Sequence, residues 1–243
     1  STTDKGEKGP LTVGFGAGRW IGPEFSFGRV LGDELDEPIL LIKTAWGGKD
    51  LGVDFRPPSA GMPPYDVGGK RQKELEADPK LVGAWYRLMI EEVRKVLKDP
   101  GASFPELAGR KTQLAGFGWH QGWNDGGSEN FVAEYEANLV HLIHDLRKEF
   151  GDETLPVVIA NSGFGGDKLA GRRLMLAEAQ MAVSDPAKHP EFKGTVHTVD
   201  TRPFHRSVEQ SPSGFGYHWN HNGETHYLIG EAMGRAMIAL MKK

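Results

Sequence analysis

Two glycine turns and a late cluster of imidazoles hold the groups in this chain that could do chemistry. The run Trp119-His120-Gln121-Gly122-Trp123-Asn124-Asp125 follows the apolar residues 114–118, which read as a buried strand. A strand that ends in a carboxamide and a carboxylate is costly in an interior, because such groups need partners. The turn is therefore expected to open onto a site. A second glycine turn, Trp46-Gly47-Gly48-Lys49, closes the apolar run at 39–45. Glycine there lets a backbone N–H approach a ligand oxygen with no side chain in the way. The amide of Asn124 adds an uncharged donor that works at any neutral pH. Further along, His205, His218, His221 and His226 lie near Asp200 in sequence and offer imidazoles for proton transfer or for a cation.

Gly122-Trp123-Asn124-Asp125 fits the Gly-x-Asn-Asp block of the SGNH (GDSL-type) hydrolases. The longer Trp-His-Gln-Gly-Trp-Asn string resembles their sialate O-acetylesterase-like, carbohydrate acetylesterase branch, which removes acetyl groups from sugars. That resemblance implies a three-layer α/β/α, flavodoxin-like fold and a Ser-His acyl-enzyme mechanism. It implies that the Gly48 N–H and the Asn124 amide form an oxyanion hole, with Gly47, Gln121, Trp123 and Trp46 touching substrate. It also implies a catalytic His just before the last helix. Gly216-Tyr217-His218-Trp219 looks like that branch, which makes His218 the first choice, His221 the second and His226 the third. The family's Asp-x-x-His is not kept, since Phe215 stands three residues before His218. Asp200, Glu209 or a backbone carbonyl is left to orient the imidazole. The resemblance implies an acetylated carbohydrate as partner, no cofactor and no metal, and it favours a periplasmic or secreted location.

One part of the pattern is blank. The family's Ser sits in a Gly-Asp-Ser or Gly-Gln-Ser turn after a first strand, and no such turn occurs in these residues. Ser26 falls in an expected helix and Ser59 in a loop. Ser162 ends a strand but matches no motif. The expectation is a single SGNH-like domain over residues 1–243 that lacks its first strand. The nucleophile would then come from a separate or lost N-terminal fragment of the same protein, and Ser1 would not be the natural start.

The elements that must position these groups follow from apolar spacing. Residues 24–35 are expected to be helical, with Pro23 at the first turn. Residues 39–45, 113–119, 155–160 and 195–199 read as strands, the first from a continuous apolar run of buried-strand length. Residues 50–70 are rich in Pro, Gly and Asp and read as a long surface loop. Helical periodicity marks 80–98, a stretch from about 130 to 146, 171–184 and a closing helix from about 224. Strands alternating with helices imply a parallel sheet covered on both faces.

Composition excludes several classes. The 243 residues carry a net charge of −4 with no basic stripe, which argues against nucleic acid and anionic membranes. No apolar stretch approaches the ~20 residues of a membrane helix. There is no cysteine, so disulfides and a thiol nucleophile are ruled out. Two other functions remain open. One is a metal-dependent hydrolase built on His205, His218, His221, His226 and Asp200, with Glu224 as a weak base. The other is a catalytically silent carbohydrate-binding relative that uses its tryptophans.

Overall fold

The computed structural model describes residues 6–16 and 20–242. Three parallel strands, β1 (Phe117–Trp119), β2 (Val157–Ala160) and β3 (Val196–Val199), form one sheet in the order β1-β2-β3. Phe117 pairs with Val157, and Val157 with Val196. Alternation along β2 sends Val157 and Ile159 into one core and Val158 and Ala160 into another. Parallel strands need crossover helices, and α4 (Glu129–Phe150) and α5 (Gly171–Ala182) supply them.

On the first face lie α3 (Ala84–Lys98), α4 and α5. Tyr135, Leu139, Leu142, Ile143 and Leu146 form the buried stripe of α4, at the spacing an amphipathic helix requires. Ser128 caps that helix by accepting the Phe131 N–H, and Gly151 closes it in the left-handed region at φ 71°. On the second face α1 (Glu24–Glu34) packs on α6 (Gly223–Met241). Asn222 caps α6 by accepting from the Thr225 N–H. The result is the expected three-layer α/β/α arrangement, and among the described residues no helix is long and apolar enough to cross a membrane.

Two expectations need correction, and one helix has no counterpart among them. Residues 39–45 form no strand ladder, and Ile39 is 37% exposed. A strand needs a hydrogen-bonded neighbour, and β1 pairs with β2 alone among the described residues. The apolar run instead lies against α1, where a Cβ on Gly28 would meet Leu41 and Leu11. The 50–70 stretch is not all surface, because Leu51, Val53, Phe55 and Arg56 are buried. Helix α2 (Gly69–Ala77), with Leu75 its one buried residue, was not foreseen.

Helices α1 and α6 touch backbone to backbone at Gly230, where a Cβ would collide with the Pro23 carbonyl and the Ser26 hydroxyl. Gly230→Ala should therefore lower stability by roughly 1–3 kcal/mol through overpacking, despite alanine's better helix propensity. Calorimetric thermal midpoints of the two proteins check this, and an unchanged or raised midpoint would contradict the close approach.

Candidate active site

The carboxyl ends of β1, β2 and β3 all open on the same rim, where open parallel sheets bind ligands. The turn after β1 is built on a buried polar network. Tyr135 donates its hydroxyl to both oxygens of Gln121, the backbone carbonyl and Oε1, at 2.9 Å each. Gln180 Nε2 donates to the Gln121 carbonyl at 2.7 Å, and Ser162 Oγ to the same carbonyl at 3.1 Å. Gln121 Nε2 in turn donates to Asp125 at 2.6 Å and to the Lys49 carbonyl at 3.0 Å.

Asp125 is fully buried and accepts the Leu51 N–H at 2.9 Å and the Gly52 N–H at 3.0 Å. The turn after β1 is thereby tied to the loop that carries Gly47 and Gly48. Burial and the nearby Asp50 push the Asp125 carboxyl up to about 7, against the donors that favour its charged form.

This lacing brings the two expected oxyanion donors together. Gly48 takes a left-handed φ of 73°, and a Cβ there would lie 3.8 Å from Asn124 Nδ2. The Asn124 side chain does not cap the short turn it precedes, and the cap of α4 is Ser128. Its amide is therefore free of the structural duty that most simply explains an Asn before a helix. Gly47 lies in the same exposed turn with nothing within 4 Å of a Cβ.

Trp123 flanks Asn124 and forms one wall of a cleft of about 420 Å³, together with Phe164, Arg173, His205 and Gly216. Its ring lies under the Arg173 guanidinium at 3.5 Å and edge-on to Phe164 at 5.1 Å. Tyr217 links this wall to His218, with ring centroids 5.5 Å from Trp123 and 4.5 Å from His218. His218 is exposed and stacked on His221 at 5.2 Å. Partial burial, then the neighbouring His221, lower its pKa from 6.5 and keep the ring neutral.

Other sequence candidates are committed elsewhere. Gln121 spends both amide donors inside the protein, so it braces the turn instead of meeting a substrate. Trp46 packs on Trp85 and Phe55, with centroids 5.0 and 6.1 Å away, and belongs to the core wall. His120 donates from Nδ1 to the Ala160 carbonyl at 3.1 Å and accepts at Nε2 from Trp219 at 3.3 Å, which makes it architectural. Asp200 is held in a fork by Arg202, and that contact keeps its pKa low. Ser162 and Ser26 donate to backbone carbonyls, while Ser59 bonds His141 at 2.8 Å on the surface. Among the described residues no three His, Asp or Glu side chains are grouped to hold a metal ion, so the late histidines do not form a ligand set.

One pair escaped sequence reading. Ser213 Oγ lies 2.9 Å from His221 Nδ1 beside the same cleft. No motif marks it, because the pair forms only through the tight loop between those residues.

The model of the family described as "Carbohydrate esterase, sialic acid-specific acetylesterase" matches residues 7–238. The chain belongs to this family. No curated protein matches it. A solved structure of an Arabidopsis thaliana protein is similar, with a TM-score of 0.58 at 19% identity. The match covers 90% of this chain and 68% of the plant chain, and it bears on the fold alone. The family extends over both glycine turns and the His218 segment.

In this carbohydrate-esterase chain the His218 segment rests on a half-buried imidazole whose Nδ1 is shut off from solvent. His226 lies beneath the His218 backbone, its Nδ1 has no hydrogen-bond partner, and burial lowers its pKa to about 4. The folded pKa is below the unfolded 6.5, so the unfolded chain binds more protons between those values. The His226 contribution to stability should thus be complete above about pH 6.5 and be lost, by roughly 3 kcal/mol, as pH drops through 4, opposite in sign to that of Asp125, whose raised pKa favours the fold at lower pH. Urea unfolding of the wild type and of His226→Asn at stepped pH isolates this contribution, and the difference between the two should shift in favour of the variant as pH falls from 6.5 to 4. A difference that does not change with pH would contradict the neutral ring.

Proposed function

We propose that this chain hydrolyses acetyl esters on carbohydrates by two-step acyl transfer. The observation that carries the reading is the meeting of the uncommitted Asn124 amide with the Gly48 turn, next to Trp123, whose ring is joined to His218 through Tyr217. A serine oxygen attacks the acetyl carbonyl while His218 takes its proton, and the carbonyl oxygen becomes an oxyanion. Gly48 N–H and Asn124 Nδ2 donate to that oxyanion. His218 then returns the proton to the departing sugar hydroxyl. In the second step water attacks the acyl-serine with His218 as base, which releases acetate and restores the serine.

The serine is proposed to arrive on a strand from outside these 243 residues. Support comes from the sheet itself. Among the described residues the outer edge of β1 has no partner, and the apolar run at 39–45 has no ladder. A strand seated between them would satisfy both. The contact between Ser213 and His221 supports a second reading, in which the nucleophile is Ser213. Fluorophosphonate labelling of the natural protein, mapped by peptide mass spectrometry, separates the two. An adduct on a serine outside this chain is expected, and an adduct on Ser213 would overturn the supplied-strand reading.

Two kinetic outcomes follow. Asn124→Ala should cut kcat by roughly 10²–10³-fold with an unchanged thermal midpoint, as loss of one oxyanion donor does. Near wild-type turnover would remove Asn124 from the mechanism. Because His218 titrates below 6.5, the acid limb of kcat/KM should fall below that pH. A limb at higher pH would exclude His218 as the base.

A further inference from the structure

One face of α5 runs along the turn after β1. Arg173, Leu176 and Gln180 stand at i, i+3 and i+7, which places them on the same side of the helix. Gln180 Nε2 donates to the Gln121 carbonyl, and Leu176 fills the space beside Gly122, where a Cβ would come within 2.7 Å of it. Arg173 Nη1 donates to the Trp123 carbonyl at 3.1 Å. The turn thus meets α5 at three successive residues, and the last of them precedes Asn124.

Arg173 holds more than that carbonyl. Its guanidinium lies over the Trp123 ring at 3.5 Å. Its stem packs on Gly126, where a Cβ would come within 3.2 Å of Cγ. One side chain therefore grips the turn on both sides of Asn124. The planar guanidinium suits this task, because it can donate in its plane while its face rests on a ring.

No ion pair accounts for Arg173. Burial and then the neighbouring Arg172 lower its pKa, with no carboxylate acting the other way. A half-buried cation without a counter-charge is a cost, and its contacts with Trp123 and Gly126 are what offset it.

Asn124 is the residue that needs such a hold. Asp125 beside it is fixed by the Leu51 and Gly52 N–H groups, whereas the Asn124 side chain caps nothing and takes its direction from the backbone it hangs from. An oxyanion donor works only when it is aimed, and a misplacement of about 1 Å can cost on the order of 10²-fold in rate.

We infer that Arg173 is a positioning residue, which clamps the turn at Trp123 and Gly126 from α5 and so aims the Asn124 amide at the oxyanion. The inference rests on the acetylesterase reading, in which Asn124 is the donor. Arg173 acts through Asn124 and not on the reacting atoms.

Arg173→Ala tests this in the natural protein, with the exposed neighbour Arg172→Ala as the control for lost charge. Initial rates on para-nitrophenyl acetate give kcat and KM. The side-chain amide of Asn124, identified in heteronuclear NMR spectra by its absence from Asn124→Ala, reports on the donor itself. Arg173→Ala should lower kcat roughly 10- to 100-fold with KM within about twofold of wild type, and should shift or broaden the Asn124 amide signals. Arg172→Ala should match wild type in both readouts. Arg173→Lys keeps the charge and the stem but not the fork, and it serves if the alanine variant fails to fold. It should lose about 3- to 10-fold in kcat at an unchanged thermal midpoint.

Wild-type kcat in the Arg173 variants would overturn the clamp, as would a fall in kcat that leaves the Asn124 amide signals in place. An equal loss in Arg172→Ala would overturn it too, because charge and not contact would then be at work. Asn124 signals that move in the Arg173 variants of a protein that hydrolyses no acetyl ester would keep the clamp and sink the acetylesterase reading instead.

Discussion

A buried amide and a buried carboxylate at the end of β1 cannot be left without partners, and satisfying them determines where the rest of the site lies. Gln121 and Asp125 bond to each other, to Tyr135 on α4, and to the backbone of residues 49–52. Gln180 on α5 and Ser162 after β2 close on the Gln121 carbonyl. Leaving one such group unpaired in an interior costs about 1–3 kcal/mol, so the network has little freedom to rearrange. Each partner comes from a different element, and the two glycine turns are locked together as a by-product.

What the network leaves unused is as informative as what it uses. Gln121, Asp125, His120 and Ser162 are all polar residues at strand ends, and all are satisfied within the protein. Asn124 and Gly48 stand next to them without such duties and lie against each other. In the proposed mechanism, donors preorganised in this way would need no rearrangement when charge develops on a substrate oxygen. His218 lies on a loop whose strained backbone is pinned by Asn220 and Asn222.

Much of this was legible in the sequence, and the gaps have physical causes. Helices α3, α4 and α6 carry apolar residues at helical spacing, β2 is a short apolar run and β3 a short β-branched one, so local pattern suffices. Residues 39–45 have the same apolar signature as β2, but a strand is made by its neighbour and not by its own residues. Helix α2 buries only Leu75, which leaves no stripe to read. At the site, the glycine turns and Asn124 could be marked from type and spacing. The role of Gln121 could not, because its partners Tyr135 and Lys49 lie 14 and 72 residues away. Trp46 was likewise indistinguishable from a sugar contact until its packing on Trp85 was known.

The most direct measurement is a crystal structure of the protein with acetate, the product of the proposed reaction. One acetate oxygen should lie within hydrogen-bond reach of both the Gly48 N–H and Asn124 Nδ2, with the His218 imidazole across the cleft from it. Acetate bound elsewhere in the cleft, with the Asn124 amide turned into the protein, would contradict the shared oxyanion site.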